Sequence, residues 1–264
     1  MAPTTNLLST MIPTLPLDQT VSNFDRRRVL PSTGCTCESY PSFGSSAALP
    51  PLYSTLTRNG DGYPANLANT AAAPATIFVR GNLTKRNDRA VAIVGSRKAG
   101  TRALKAARSL GSRLAENGCT VVSGLARGVD TEAHLGALSA AGQTVAVIGT
   151  GVNRSFPPEN HTLQERIAHA GAVVSQFDPD QEPSKTTFPA RNAVIAGLAR
   201  ASLIVDAAER SGTRIQIDWT LRLGRPVLFW EPTIGHRDWA RELTAENDLV
   251  FMVQSIEEVL SFVA

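Results

Sequence analysis

From residue 77 onward the chain repeats one pattern, a short run of β-branched and apolar residues followed by a stretch long enough for a helix. The runs are IFV at 77–79, AVAIV at 90–94, CTVVS at 119–123, TVAVI at 144–148, AVVSQ at 172–176, SLIVD at 202–206, PVLFW at 226–230 and LVFMV at 249–253. Between most of them lie segments such as TRALKAARSLGSRLAENG, with Ala and Leu at helical spacing and a closing glycine. Strands that are apolar throughout are buried on both faces, which requires helices above and below a mostly parallel sheet. The expected fold class is therefore α/β, a doubly wound, mostly parallel, Rossmann-like sheet.

In such sheets ligands bind in the crevice beyond the carboxyl ends of the strands. Two glycine-bearing loops fall there, VAIVGSRKAG and TVVSGLARGVD, and each sets an arginine, Arg97 or Arg127, beside glycine where a strand gives way to a helix. A helix N-terminus offers unpaired N–H groups and partial positive charge, so both loops are candidate phosphate sites. The first, Gly95-Ser96-Arg97-Lys98-Ala99-Gly100-Thr101, has neither G-x-G-x-x-G nor a Gly-Lys-Ser/Thr ending. Dinucleotide cofactors and ATP hydrolysis lose their signatures, and no cofactor is expected. A tight strand–helix turn with a surface arginine is the alternative reading of that loop.

In the second loop, Asp130 is placed to cap the helix TEAHLGALSAAG, a structural role. His134, four residues on, lacks the further ligands a metal needs and is read as supporting the helix. Gly149-Thr150-Gly151 leads into the proline-stiffened SFPPENHTL, expected to form one wall of the crevice. Lys185-Thr186-Thr187-Phe188-Pro189-Ala190-Arg191-Asn192 joins two cations, an aromatic and an amide ahead of the helix AVIAGLARA. Cation plus aromatic is how single-stranded nucleic acid is held, although a core position suits Phe188 equally well.

Composition narrows the function classes. With 26 basic and 23 acidic residues the formal charge is +3, too mild for a chain that coats DNA by charge alone, so a nucleic-acid site must be a local groove. Three cysteines cannot all pair, and Cys35 and Cys37 have no later Cys/His group at zinc spacing, so neither a disulfide framework nor a metal site is expected. No apolar run reaches the ~18 residues of a membrane span, and the N-terminus lacks the pattern of a signal peptide. A cytoplasmic protein without membrane contact is expected. Residues 1–50 are rich in Ser, Thr and Pro and read as a disordered tail, with Arg26-Arg27-Arg28 a solvated patch or a phosphate contact; residues 51–264 read as the Rossmann domain.

YPANL, the RGNL of 80–83, VAIVGSRKAG, VVSGLARGVDTEAH, AVIGTGVNRSFPPEN, FPARNAVIAGLA and the ERSG of 209–212 occur in one order from Tyr63 onward. In these motifs the chain resembles the DNA-processing protein A (DprA/Smf) family. The resemblance implies an extended Rossmann fold that binds and protects single-stranded DNA, forms a homodimer and assists loading of the RecA recombinase in natural transformation or recombination, without catalysing a reaction. Carried over, the DNA contacts fall on Gly95, Ser96, Arg97, Ser123, Arg127, Lys185, Phe188, Arg191 and Asn192, and the expected phosphate-binding set adds Gly124, Ser211, Gly212 and Thr213.

The chain departs from the family pattern in places. Ala193 stands where FPxRNRxIAG has its second arginine, Ser211-Gly212-Thr213-Arg214-Ile215-Gln216-Ile217 replaces SGSLITA, Glu231-Pro232 replaces a VPG turn, and the last fifty residues match poorly. Arg214 either restores the missing cation or points to solvent. A rival from another class is a nucleotide-binding sensor or nucleotide phosphoribohydrolase of the LOG type, which carries PGGxGTxxE. Here the position of that glutamate is Gln216, and an amide cannot do a carboxylate's acid/base work.

Overall fold

In the computed structural model the described residues are 52–83 and 88–264. The expectations placed on residues 1–50, including the tail, Arg26-Arg27-Arg28, Cys35 and Cys37, lie outside them. By its own contacts the chain divides at Leu49, and all described elements belong to the unit Leu49–Ala264. They run β1 (Ser54–Thr57), α1 (Ala65–Ala68), β2 (Thr76–Gly81), β3 (Ala90–Gly95), α2 (Thr101–Glu116), β4 (Thr120–Ser123), α3 (Val129–Ser139), β5 (Thr144–Val147), α4 (His161–Ala170), β6 (Ala172–Ser175), α5 (Thr187–Leu198), β7 (Ala201–Asp206), α6 (Gly212–Arg222), β8 (Val227–Trp230), α7 (Glu231–Ile234), α8 (Asp238–Glu246), β9 (Val250–Val253) and α9 (Ile256–Ser261).

The nine strands form one sheet in the order β1-β2-β6-β5-β4-β3-β7-β8-β9. From β6 to β9 every pairing is parallel, while β1 pairs antiparallel with β2 and β2 with β6. All eight apolar runs are strands, and the α/β doubly wound expectation holds. β1 carries no apolar run: its STLT is mostly exposed at the sheet edge, where one neighbour suffices to hold it.

Alternation along the central strands sends side chains to two layers. Ala92 and Val94 of β3 join Val194, Ile195 and Ile217 under α5 and α6, while Val91 and Ile93 join Ala107, Leu110 and Leu114 of α2. α2 shows why the sequence folds so locally. Its buried residues Ala103, Ala107, Leu110 and Leu114 are three or four apart, one face of a helix, and Gly118 at φ 73° turns the chain out toward β4.

After β3 the chain moves outward through β4, β5 and β6, then returns to lay β7 on the opposite side of β3. The loops leaving β3 and β7 therefore diverge to opposite faces and open a crevice at the carboxyl edge.

Candidate nucleic-acid interface

A cavity of about 550 Å³ occupies that crevice. Gly95, Ser96, Arg97 and Lys98 line it from the end of β3, Lys185, Phe188, Arg191 and Asn192 from the start of α5, and Ser211, Gly212 and Thr213 from the start of α6. A second hollow of about 180 Å³ shares Arg97, Phe188 and Arg191 and adds Gly124, Arg127, Gly149, Phe156, Pro157 and Pro158. Phe156, Pro157 and Pro158 of the SFPPEN segment thus wall the smaller hollow, where a wall of the main crevice was expected. Of the residues expected from the sequence, Ser123 alone lines neither space: it is fully buried and donates its hydroxyl to the Ile93 carbonyl at 2.6 Å. Ser123 ties β4 to β3.

The glycine loops correct the sequence reading most sharply. They were expected to present bare amides to phosphate, and several of those amides are engaged within the protein. The Ser96 N–H donates to the Asp206 carbonyl at 2.8 Å, and the Lys98 N–H to the Ser96 hydroxyl at 3.0 Å. The Gly124 and Ala126 N–H groups both donate to the Asp130 carboxylate, at 3.2 and 3.3 Å. An anion nest exists in the second loop, and the protein's own carboxylate fills it. Asp130 is accordingly not the cap of its helix: α3 begins at Val129, and Asp130 in its first turn reaches back into the preceding loop.

The missing side chains serve packing. A Cβ on Gly124 would strike the Arg191 guanidinium, and one on Gly128, at φ 79°, would strike the Ser96 carbonyl. The first residues of α2 are also carried off the cavity by Lys98-Ala99-Gly100, so the helix starts that reach the crevice are those of α5 and α6.

Charge is distributed unequally. Arg97, Lys98 and Lys185 are exposed, and the Arg97 guanidinium lies 5.7 Å from the Phe188 ring centre. Phe188 is half-buried with its ring 5.3 Å from that of Phe156. Arg127 is exposed but ion-paired with Glu159, whose carboxyl it holds below the usual range.

Arg191 is buried, its exposure only 5%, and donates to the Gly124 and Val147 carbonyls while its Nε has no partner among the described residues. Burial lowers it to about 10 against the pull of Asp130, and Arg97 lowers it further. Burial also raises Asp130, opposed by Arg191 and by the two loop amides. Arg191 is first a brace between α5, β4 and β5. Arg214 turns away from the crevice and lies 5.1 Å from the Trp239 ring, so it does not replace the cation absent at Ala193.

Lys98 lines the crevice, Phe156 lines the smaller hollow and Glu159 pairs with Arg127, and none of the three was in the expected contact set. The signal for Lys98 was its place beside Arg97; nothing in the sequence told which carboxylate would meet Arg127. α5 starts at Thr187, so Phe188, Arg191 and Asn192 are helical, where the sequence suggested a loop before the helix. Proline at 189 fits there, because in a first turn it displaces no hydrogen bond.

Gln216 is fully buried and donates to the Ser202 hydroxyl at 3.1 Å. It faces the sheet. His134 is buried with Nδ1 2.7 Å from the Thr144 hydroxyl, tying α3 to β5 where a contact within its own helix was expected. Among the described residues no group of three or more His, Cys, Asp or Glu could hold a metal, and no helix is long and apolar enough to cross a membrane.

Comparison with known proteins gives consistent results. The family model for DNA recombination-mediator protein A matches residues 54–264, including the C-terminal stretch whose motifs depart from the pattern. DNA processing protein DprA of Streptococcus pneumoniae is 41% identical over 203 residues, 76% of this chain and 71% of that protein. Protein Smf of Escherichia coli is 35% identical over 187 residues, 70% of this chain but 50% of its own length. The crystal structure of the pneumococcal protein superposes with TM-score 0.73 at 36% identity, covering 79% of this chain and 74% of the other. DNA processing protein A from Helicobacter pylori, described with a unique single-stranded DNA binding mode, gives 0.69 at 26% identity over 79% and 94% of the two chains.

Proposed function

The chain belongs to the DNA recombination-mediator protein A family, and on that premise we propose that it binds single-stranded DNA in the β3/β7 crevice as its part in DNA processing and recombination. The observation that carries this reading is the grouping of exposed Arg97, Lys98 and Lys185 around the half-buried ring of Phe188. Cations follow a sugar-phosphate track and an aromatic face receives a base, whatever its sequence. With the Ser96, Lys98, Gly124 and Ala126 amides engaged, side-chain cations supply most of the grip. Ser211, Gly212, Thr213 and Asn192 complete the proposed contact set on the other bank, with Arg127 at the smaller hollow.

The proposal includes binding without catalysis. Burial of Gln216 supports this, because the position that carries the glutamate in the phosphoribohydrolases is turned into the core. It further includes residues 51–264 as the DNA-binding domain, protection of the strand, assistance to RecA loading in natural transformation or recombination, pairing of two chains and residence in the cytoplasm. The family description supports the mediator role. Pull-down with purified RecA tests that contact, and light scattering with and without oligonucleotide tests pairing.

A length series of fluorescent oligo-dT at two salt concentrations tests the central claim. Affinity should rise with length and fall with salt at a log–log slope of about −3 for ~4 phosphates engaged. The larger cavity is also of a size that small ligands fill, which keeps a mononucleotide sensor as the second reading. A flat length dependence together with saturable mononucleotide binding would replace the first reading with the second.

A further inference from the structure

The smaller hollow is unlike the crevice it adjoins. Its walls are the rings of Phe156 and Phe188 and the Pro157-Pro158 step, with Arg97 and Arg127 at its rim. Phe156 is 39% exposed, and among the described residues Leu52 is the other large hydrophobic so exposed. Phe156 sits in a proline-stiffened segment, tilted 41° to Phe188. An aromatic held rigid at solvent beside two guanidinium groups has the chemistry of a stacking platform.

Size limits what could stack there. At about 180 Å³ the hollow holds roughly six water molecules, below the ~300 Å³ at which sites for whole small ligands begin. One flat ring system fits, and a complete nucleotide does not. Because Arg97, Phe188 and Arg191 belong to both spaces, a ring in the smaller one can remain joined to phosphates in the larger.

We infer that the hollow is a base-binding subsite, in which one unstacked nucleobase of the bound strand lies against Phe156 and the Pro157-Pro158 wall. The inference rests on the single-strand reading and adds a second stacking residue to it. The base is received by apolar surface and ring faces, so the subsite accepts purine or pyrimidine. Phosphates on either side of the base pass Arg97 and Arg127.

The test is a cycle between protein and ligand. Wild type and Phe156→Ala are titrated with oligo-dT and with an abasic oligomer of equal length, and Phe156→Tyr and Arg97→Ala serve as references. Phe156→Ala should weaken oligo-dT binding about 5- to 150-fold, the range that about 1–3 kcal/mol of stacking represents, with the salt slope unchanged. It should leave abasic binding as it was, and Phe156→Tyr should bind like wild type. A 2-aminopurine in the strand should be quenched on binding wild type and not on binding Phe156→Ala.

Equal loss on both oligomers would make Phe156 a support for its loop and overturn the subsite. So would retained oligo-dT affinity in Phe156→Ala while Arg97→Ala fails. Loss of length dependence in the wild type itself would instead strike the single-strand reading.

Discussion

Arg97 and Arg127 carry the same charge, yet their surroundings give them different shares of binding. Arg97 has an aromatic face beneath it and, among the described residues, no carboxylate in ion-pair reach, so its charge is available. Arg127 already holds Glu159, and the two side chains are 65% and 45% exposed, a solvated pair that a phosphate must open before it can bind. Arg97→Ala should therefore weaken oligo-dT binding by about 1.5–3 kcal/mol, the scale of a hydrogen bond to a charged group. Arg127→Ala should cost less than that, and Glu159→Gln should tighten binding and steepen the salt slope, because no carboxylate is then displaced. Fluorescence anisotropy at two ionic strengths reads all three; equal losses for the two arginines and no gain for Glu159→Gln would contradict the assignment.

At the scale of elements, the loop and first turn around Asp130 form a closed electrostatic unit. Its carboxylate fills the nest made by the Gly124 and Ala126 amides, and Arg191 braces the same loop through the Gly124 carbonyl. Asp130→Ala leaves a buried guanidinium uncompensated and should lower stability by about 3–5 kcal/mol, measured by chemical denaturation. The vacated nest should then accept inorganic phosphate, raising Tm in the variant more than in the parent. No difference between them would mean that the nest collapses without its carboxylate.

This unit also marks where sequence reading stopped. Strands were legible because an apolar run admits few alternatives, and the crevice was legible because parallel strands open at one edge. The direction of a carboxylate three residues after Arg127 depends on packing among α3, α5 and two strands, which no local pattern encodes. The same holds for Ser123, whose hydroxyl was free to be read as a ligand until β3 came beside it, and for β1, whose only support is its neighbour.

For the molecule as a whole, His134 couples acid to stability. Burial, and secondarily the charge of Arg191, push it down to about 3, whereas in the unfolded chain it titrates near ~6.5. Between those values the unfolded state binds a proton that the folded state refuses, so stability is full above about pH 6.5 and falls with pH at about 1.4 kcal/mol per unit. Asp130, raised by burial, works in the opposite sense above the ordinary carboxylate value. Denaturation of wild type and His134→Gln at pH 7 and 5 isolates the histidine: the variant should lose less stability over that interval, and parallel curves would show that His134 is protonated in the fold.

Loops bolted to one another through Ser96, Asp130 and Arg191 leave the crevice little room to adapt. The burden of conforming passes to whatever enters it. A double helix, stiff over ~50 nm, resists such moulding, while an unpaired strand yields at every nucleotide. The protein would thus sort nucleic acids by pliancy before any base is touched.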